Sequence, residues 1–242
     1  MPIIGPEDWL SDLRRKYNER AEVAAQAEEA LAGLSHTEQM LLEYFPPPNR
    51  QVLAVGCGAG REAIALAEQG WQVTGIDLAA LPLSVCQDLL SRRGLKAELI
   101  LLEETLPWPV PPAAFGAVLL FGQILEHLPA CEARRALLAE AKRVLVPGGR
   151  LYLGTHAVQS ADITELSALA PDPDKPGDIL AGHISRARSP GRLHLHLYSL
   201  DELIADLQTA GLEPLTWLIQ QEDGPEHPVW RRFLYVAAGV KG

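Results

Sequence analysis

Three glycines at alternate positions, Gly56, Gly58 and Gly60, follow directly on the apolar run Val52-Leu-Ala-Val55. Glycine tolerates positive φ and lets another molecule approach the backbone closely. Behind the glycines, Arg61-Glu-Ala-Ile-Ala-Leu-Ala-Glu-Gln69 reads as a helix closed by Gly70. A buried strand, a glycine turn and a helix N-terminus together direct backbone N–H groups at an anionic group. The next extended segment, Trp71 to Asp77, ends on a carboxylate 21 residues after Gly56. An acid at that reach suits hydrogen bonds to ribose hydroxyls, so the constellation points to a nucleotide-like ligand.

Proton transfer near neutral pH would fall to histidine, of which the chain has seven. His127, in Glu126-His127, and His156, just beyond a predicted strand, are the candidate catalytic groups. An orienting hydrogen bond at a helix start is the plainer use of His127. His194 and His196 alternate in Leu193-His-Leu-His-Leu197 and so share one face of an extended segment. No third ligand stands at a spacing diagnostic of a metal, which leaves substrate contact or a solvated strand face. Tyr17 on the N-terminal helix joins His194 and His196 as a candidate substrate contact.

The elements that must position these groups alternate strand and helix. Residues 7 to about 33 lack proline and are rich in Ala, Glu and Arg, which predicts a helix stopped by Gly33. Ser35-His-Thr-Glu38 is a capping-box pattern opening a second helix, ended by Pro46-Pro-Pro48. From Arg50 onward, predicted strands at 52–55, 71–77, 97–102, 117–121 and 150–154 are separated by helices at 61–69, 82–93 and 129–144. Such alternation gives a parallel sheet covered by helices on both faces. Residues 156 to 198 have no clear period and are expected to form an insertion or lid. A helix from Ser199 and two strands, 215–219 and 233–238, close the chain, the strands as an antiparallel pair. The expected organisation is a helical extension over 1–48, a possible cap, and one α/β domain over 49–242.

Composition limits the partners. Apolar residues make up 48% of the 242, enough for a sizeable core. A formal charge of −10 argues against a bulk electrostatic grip on nucleic acid or on an anionic membrane. Cys57, Cys86 and Cys131 are scattered, without zinc spacing, which fits free thiols in a reducing compartment. No apolar run approaches the roughly 18 residues of a membrane span, and the first residues lack a signal-peptide pattern. A cytoplasmic location is the resulting expectation.

Two readings of the glycine turn compete. From Gly58 it runs Gly-Ala-Gly-Arg-Glu-Ala63, a passable dinucleotide fingerprint; from Gly56, which follows the strand directly, the third small position falls on Arg61. Longer stretches carry a resemblance. Val52-Leu-Ala-Val-Gly-Cys-Gly-Ala-Gly-Arg61 with Val73-Thr-Gly-Ile-Asp77 resembles the first motif and ribose-binding acid of class I S-adenosylmethionine-dependent methyltransferases. Ile124-Leu-Glu-His-Leu128, Arg143-Val-Leu-Val-Pro-Gly-Gly-Arg-Leu-Tyr-Leu153, and Tyr198-Ser-Leu-Asp-Glu-Leu203 with Ala210-Gly-Leu212 resemble later segments of the same family, in its order. The small-molecule branch that includes quinone-biosynthesis enzymes is the most similar.

The resemblance implies a doubly wound, Rossmann-like sheet of seven strands, mostly parallel, with the last antiparallel. It also implies methyl transfer from S-adenosylmethionine to oxygen, nitrogen or carbon of a small organic acceptor, by in-line displacement. The turn Val55, Gly56, Cys57, Gly58 and Gly60 would hold the methionine part, Asp77 the ribose, and Leu78 one side of the adenine. Glu103 and Glu104, after the third strand, would meet the adenine edge, while Phe121, Gly122 and Gln123 would line the reacting end. Three positions depart from the family pattern: Ala54 and about Leu102 replace usual acids, and Gly116 replaces a common aspartate. An RNA or protein methyltransferase, a nicotinamide-dependent oxidoreductase and a non-catalytic binding protein of the same fold remain as alternatives.

Overall fold

The computed structural model describes residues 6–158, 178–180, 194–221 and 232–240. Its frame is a seven-stranded sheet. The strands are β1 (Gln51–Val55), β2 (Gln72–Asp77), β3 (Glu98–Leu101), β4 (Phe115–Leu120), β5 (Leu145–His156), β8 (Glu213–Gln221) and β9 (Arg232–Gly239), in spatial order β3-β2-β1-β4-β5-β9-β8. β1 pairs in parallel with both β2 and β4, whereas β9 runs antiparallel to β5 and β8. This is the doubly wound sheet with an antiparallel last strand that the sequence led us to expect. Strand order reverses between β1 and β4, and open α/β sheets bind ligands at such a switch point, beyond the carboxyl ends of the strands.

Period-two alternation sorts the strand residues into two cores. Leu53, Val55, Ile76, Val118 and Leu120 face one cluster, with Leu137, Leu138 and Ala141 of α6 (Cys131–Val144) and Leu203 and Leu207 of α7 (Leu200–Thr209). Val52, Val73, Ala117 and Leu119 face the other. There they meet Ile64 and Leu66 of α4 (Arg61–Glu68) and Cys86 and Leu90 of α5 (Ala80–Arg92).

The N-terminal segment departs from the expected single helix. It forms α1 (Pro6–Tyr17) and α2 (Arg20–Ala32), broken at Asn18-Glu19. Asn18 supplies the reason. Its side-chain amide donates back to the Arg14 carbonyl at 2.7 Å, while its Oδ1 accepts the Leu81 N–H at 2.9 Å. The side chain thus competes with helix continuation and ties the break to the first turn of α5. The capping box at Ser35 is formed and opens α3 (His36–Tyr44). Its Glu38 also receives both ends of the Arg61 guanidinium, at 2.6 and 2.8 Å, which locks the extension onto the start of α4.

Two other elements differ from expectation. β5 begins at Leu145 rather than Arg150, because Leu145 already pairs with Phe115 before a register shift resumes pairing at Ala117 and Arg150. α6 begins at Cys131, after a separate 3-10 turn over Ile124–His127. Within the stretch expected to be a lid, β6 (Asp178–Leu180) and β7 (His194–His196) pair antiparallel. Residues 159–177 and 181–193 lie outside the described residues.

Candidate functional site

The site begins where β1 gives out. Gly56 N–H and Cys57 N–H both reach the Ile76 carbonyl, at 2.8 and 3.2 Å, so the turn folds back over the end of β2. Gly56, Gly58 and Gly60 have φ of 64°, 49° and 97°, a region that strains any residue with a Cβ. Space is closed as well: a Cβ would strike the Ile124 side chain at Gly56, the Gln26 Oε1 at Gly58 and the Cys86 Sγ at Gly60. Gly60 then caps α4, whose first backbone N–H groups point toward the turn.

Asp77 stands opposite. Its Oδ2 accepts the Gly58 N–H at 2.8 Å and its Oδ1 the Ala79 N–H at 2.8 Å. A carboxylate has about four lone-pair sites, so the amides do not use them all. Burial raises the Asp77 pKa, and the Ala79 and Gly58 amides work against that rise. Cys57 and Cys86 are both held as thiols, Cys86 at a pKa of about 12, chiefly by burial. Burial thus disfavours the nucleophilic thiolate at both.

The far wall comes from the end of β4. Gly122 and Gln123 both have positive φ, 70° and 68°, and the latter is a non-glycine residue in that region. This sharp reversal starts the 3-10 turn and brings Gln123, Ile124, His127 and Leu128 to the cavity. Across the opening, the Tyr17 hydroxyl lies 2.7 Å from His127 Nε2. Burial, and then the carboxylates of Glu22, Asp77 and Glu126, raise the Tyr17 pKa, so the phenol keeps its proton. α1 is further fixed by Arg14, whose guanidinium donates to the Leu102 carbonyl at 3.3 Å. The cavity measures about 790 Å³, within the range of small-molecule sites.

Behind that wall lies a buried polar pair. Glu126 is fully buried and accepts from the Thr155 hydroxyl (2.9 Å), the His156 N–H (2.6 Å) and His156 Nδ1 (2.9 Å). Burial alone would raise its pKa; the charge and hydrogen bonds of His156 outweigh that, and the net shift is downward. The pair joins the turn after β4 to the end of β5.

Comparison with known proteins places this geometry. Residues 52–149 match the model of a methyltransferase domain. A ubiquinone biosynthesis O-methyltransferase of Idiomarina loihiensis is 36% identical over 108 residues, covering 44% of this chain and 42% of that one. The 27-O-demethylrifamycin SV methyltransferase of Amycolatopsis mediterranei is 32% identical over 170 residues, covering 68% and 54%. Residues 52–149 are thus a methyltransferase domain, and the chain as a whole has the fold of S-adenosylmethionine-dependent methyltransferases. It spans about half the length of the curated relatives it matches. In fold it is similar to the 1,6-didemethyltoxoflavin-N1-methyltransferase of Burkholderia thailandensis, solved with 1,6-didemethyltoxoflavin and S-adenosylhomocysteine. The TM-score is 0.69 and the identity 19%, with 100% of this chain and 93% of that one covered.

The cavity gathers Val55, Gly56, Cys57, Gly58, Asp77, Leu78, Gly122, Gln123, His127 and Tyr17. Other candidates stand off its wall. Gly60 shapes the turn from behind. Glu103 and Glu104 are exposed, and Leu102, Thr105 and the buried Trp108 line the cavity where they were expected. Phe121 is buried in the core under the turn. His156 is turned to Glu126 and stacks near Phe233. His196 meets Glu202 at 2.7 Å and the Tyr198 ring, while the His194 side chain lies outside the described residues. Sequence reasoning missed the α2 side chains Glu22, Gln26 and Glu29 on the wall. Their i, i+4, i+7 spacing was the available signal. Ala54, in place of an acid, packs with Cys57 and Leu83. At Gly116 a Cβ would meet the Asn49 carbonyl oxygen at 2.7 Å, which leaves no room for aspartate. Among the described residues no group of three His, Cys, Asp or Glu is arranged to hold a metal.

Proposed function

We propose that this chain transfers a methyl group from S-adenosylmethionine to a small organic acceptor, by in-line displacement. One observation carries the reading: a glycine turn and the Asp77 carboxylate, hydrogen-bonded to each other, line the same cavity as Gln123 and the Tyr17–His127 pair. The turn's positive-φ glycines leave backbone where a ligand's amino-acid end would lie, and Asp77 keeps lone pairs for ribose hydroxyls. Leu78 and Leu102 supply apolar surface beside it for a purine. When bound, the cofactor supplies an electrophilic methyl on a sulfonium and leaves as a neutral thioether.

The protein's part is alignment and exclusion of water. α1 lies over the cavity, held by Arg14 at Leu102, Tyr17 at His127 and Asn18 at Leu81. His127 carries Tyr17 on Nε2, which suits it to orienting the acceptor wall. His156 is committed to Glu126 and braces that wall from behind. The relatives whose names specify O-methylation favour oxygen as the acceptor atom. The charge of −10 favours a small molecule over RNA. Cys57, Cys86 and Cys131 are free, and no helix among the described residues is long and apolar enough to cross a membrane. Both facts support a cytoplasmic location.

Calorimetric titration with S-adenosylhomocysteine and with NADH, followed by methyl transfer to a panel of phenols, catechols and amines, tests the proposal. Binding of S-adenosylhomocysteine with turnover of a panel member is the expected result. Binding of NADH alone would overturn it.

A further inference from the structure

The cavity wall contains a polar atom that nothing in the fold satisfies. Gln26 is on α2, and its Oε1 is buried without a hydrogen-bond partner. That oxygen lies 2.5 Å from where a Cβ would stand on Gly58, the glycine whose N–H is held by Asp77. A buried acceptor left unpaired is costly, and an unpaired buried group asks for an explanation. Packing holds it there: Ala27 and Ala30, on the same helix, join the cluster of Ile64 and Cys86, so α2 is seated against α4 and α5. Its neighbours on the cavity side of α2, one turn either way, are Glu22 and Glu29.

The face that α2 turns to the glycine turn is therefore acceptor-rich and anionic. β1 contributes nothing of the kind, since Ala54 is buried among Cys57 and Leu83. A ligand group matching this face is a cation that donates hydrogen bonds, next to an anionic group directed at the N-terminus of α4. An α-amino acid has those two charges on one carbon.

We infer that Gln26 Oε1 accepts a hydrogen bond from the α-ammonium group of the cofactor, so that the N-terminal extension completes the amino-acid half of the site. The inference rests on the methyltransferase reading above. Gln26 lines the cavity together with Glu22 and Glu29, and Glu22 lies 4.0 Å from the Lys16 ammonium.

The test is titration of the full chain and its Gln26→Leu and Gln26→Glu variants with three ligands. These are S-adenosylhomocysteine, its deaminated analogue, and 5′-methylthioadenosine, which has no amino-acid group. Gln26→Leu is expected to weaken S-adenosylhomocysteine roughly 10-fold or more, the effect of one hydrogen bond to a charged group, and to leave the other two ligands unchanged. Gln26→Glu is expected to bind S-adenosylhomocysteine at least as tightly as the parent chain. Equal affinity of parent and Gln26→Leu for S-adenosylhomocysteine would overturn the inference. So would an equal loss on all three ligands, which would mark Gln26 as packing alone. Should the parent chain bind none of the three, the methyltransferase reading itself would fail, a result separable from either. Melting curves of both variants show whether each is folded.

Discussion

Two parts of the cavity wall are built by different means. At the glycine turn the ligand-facing surface is mostly backbone: three positive-φ glycines, the first turn of α4, and one carboxylate tied to two amides. Its backbone comes from residues 55–79, with the side chains of Gln26, Cys86 and Ile124 packed against the glycines. Around Gln123 the surface is side chains drawn from far apart. Tyr17 meets His127 across 110 residues, and Glu126 meets His156 across 30. The first part is held by short-range hydrogen bonds, Gly56 and Cys57 to the Ile76 carbonyl and Gly58 to Asp77. The second is rigid only while distant elements remain packed, so damage there should appear first as lost stability, and damage to the first part as lost ligand affinity.

The sharpest way to break that contrast is Glu126→Ala. Removing one partner of a buried pair strands the Thr155 hydroxyl and His156, and urea unfolding is expected to show a loss of about 3–5 kcal/mol. A loss below about 1 kcal/mol would mean the pair is not a brace. Asp77→Ala should act in the opposite sense, weakening S-adenosylhomocysteine by about 1–3 kcal/mol in calorimetry. Undiminished affinity in a folded variant would remove the ribose assignment.

Acid should find the brace too. Because the Glu126 pKa is lowered in the folded protein, the unfolded chain binds its proton more readily. Its contribution is complete above the unfolded glutamate value of about 4.3. It is lost as pH falls from there through the folded pKa, at up to about 1.4 kcal/mol per pH unit. Denaturation curves from pH 6 to pH 3 should therefore fall more steeply for the parent chain than for Glu126→Gln. Parallel curves would contradict the assignment. The smallest effect is expected for Tyr17→Phe, which removes one hydrogen bond, about 1 kcal/mol. Amide exchange should quicken in α1 and stay unchanged in α4. Equal change in both would mean that α1 is not held over the cavity by this contact.

Legibility in the sequence follows the same division. The turn 56–60 and Asp77 could be read because steric limits on φ and a fixed strand–turn–helix spacing act within some 20 residues. The capping box at Ser35 was legible for the same reason. The break at Asn18 was not, since a composition rich in Ala, Glu and Arg favours one helix until the Leu81 N–H donates to the Asn18 side chain. Glu103 and Glu104 had the right chemistry and the right neighbourhood. The chain after β3 nevertheless turns them to solvent and presents Leu102 and Thr105 to the cavity. His156 had the right residue type, and only the position of Glu126 decided that its Nδ1 faces a buried carboxylate.

The sequence by itself determined the alternation that makes a parallel sheet, the glycine turn at its switch point and the acid at the end of β2, because propensity, periodicity and sterics are local. Only the tertiary structure decided that α1 and α2 form part of the cavity wall, that Tyr17 faces His127, and that Glu126 pairs with His156. Those contacts join segments whose separation along the chain carries no pattern, and they form only when packing of the two sheet faces fixes where each helix lies.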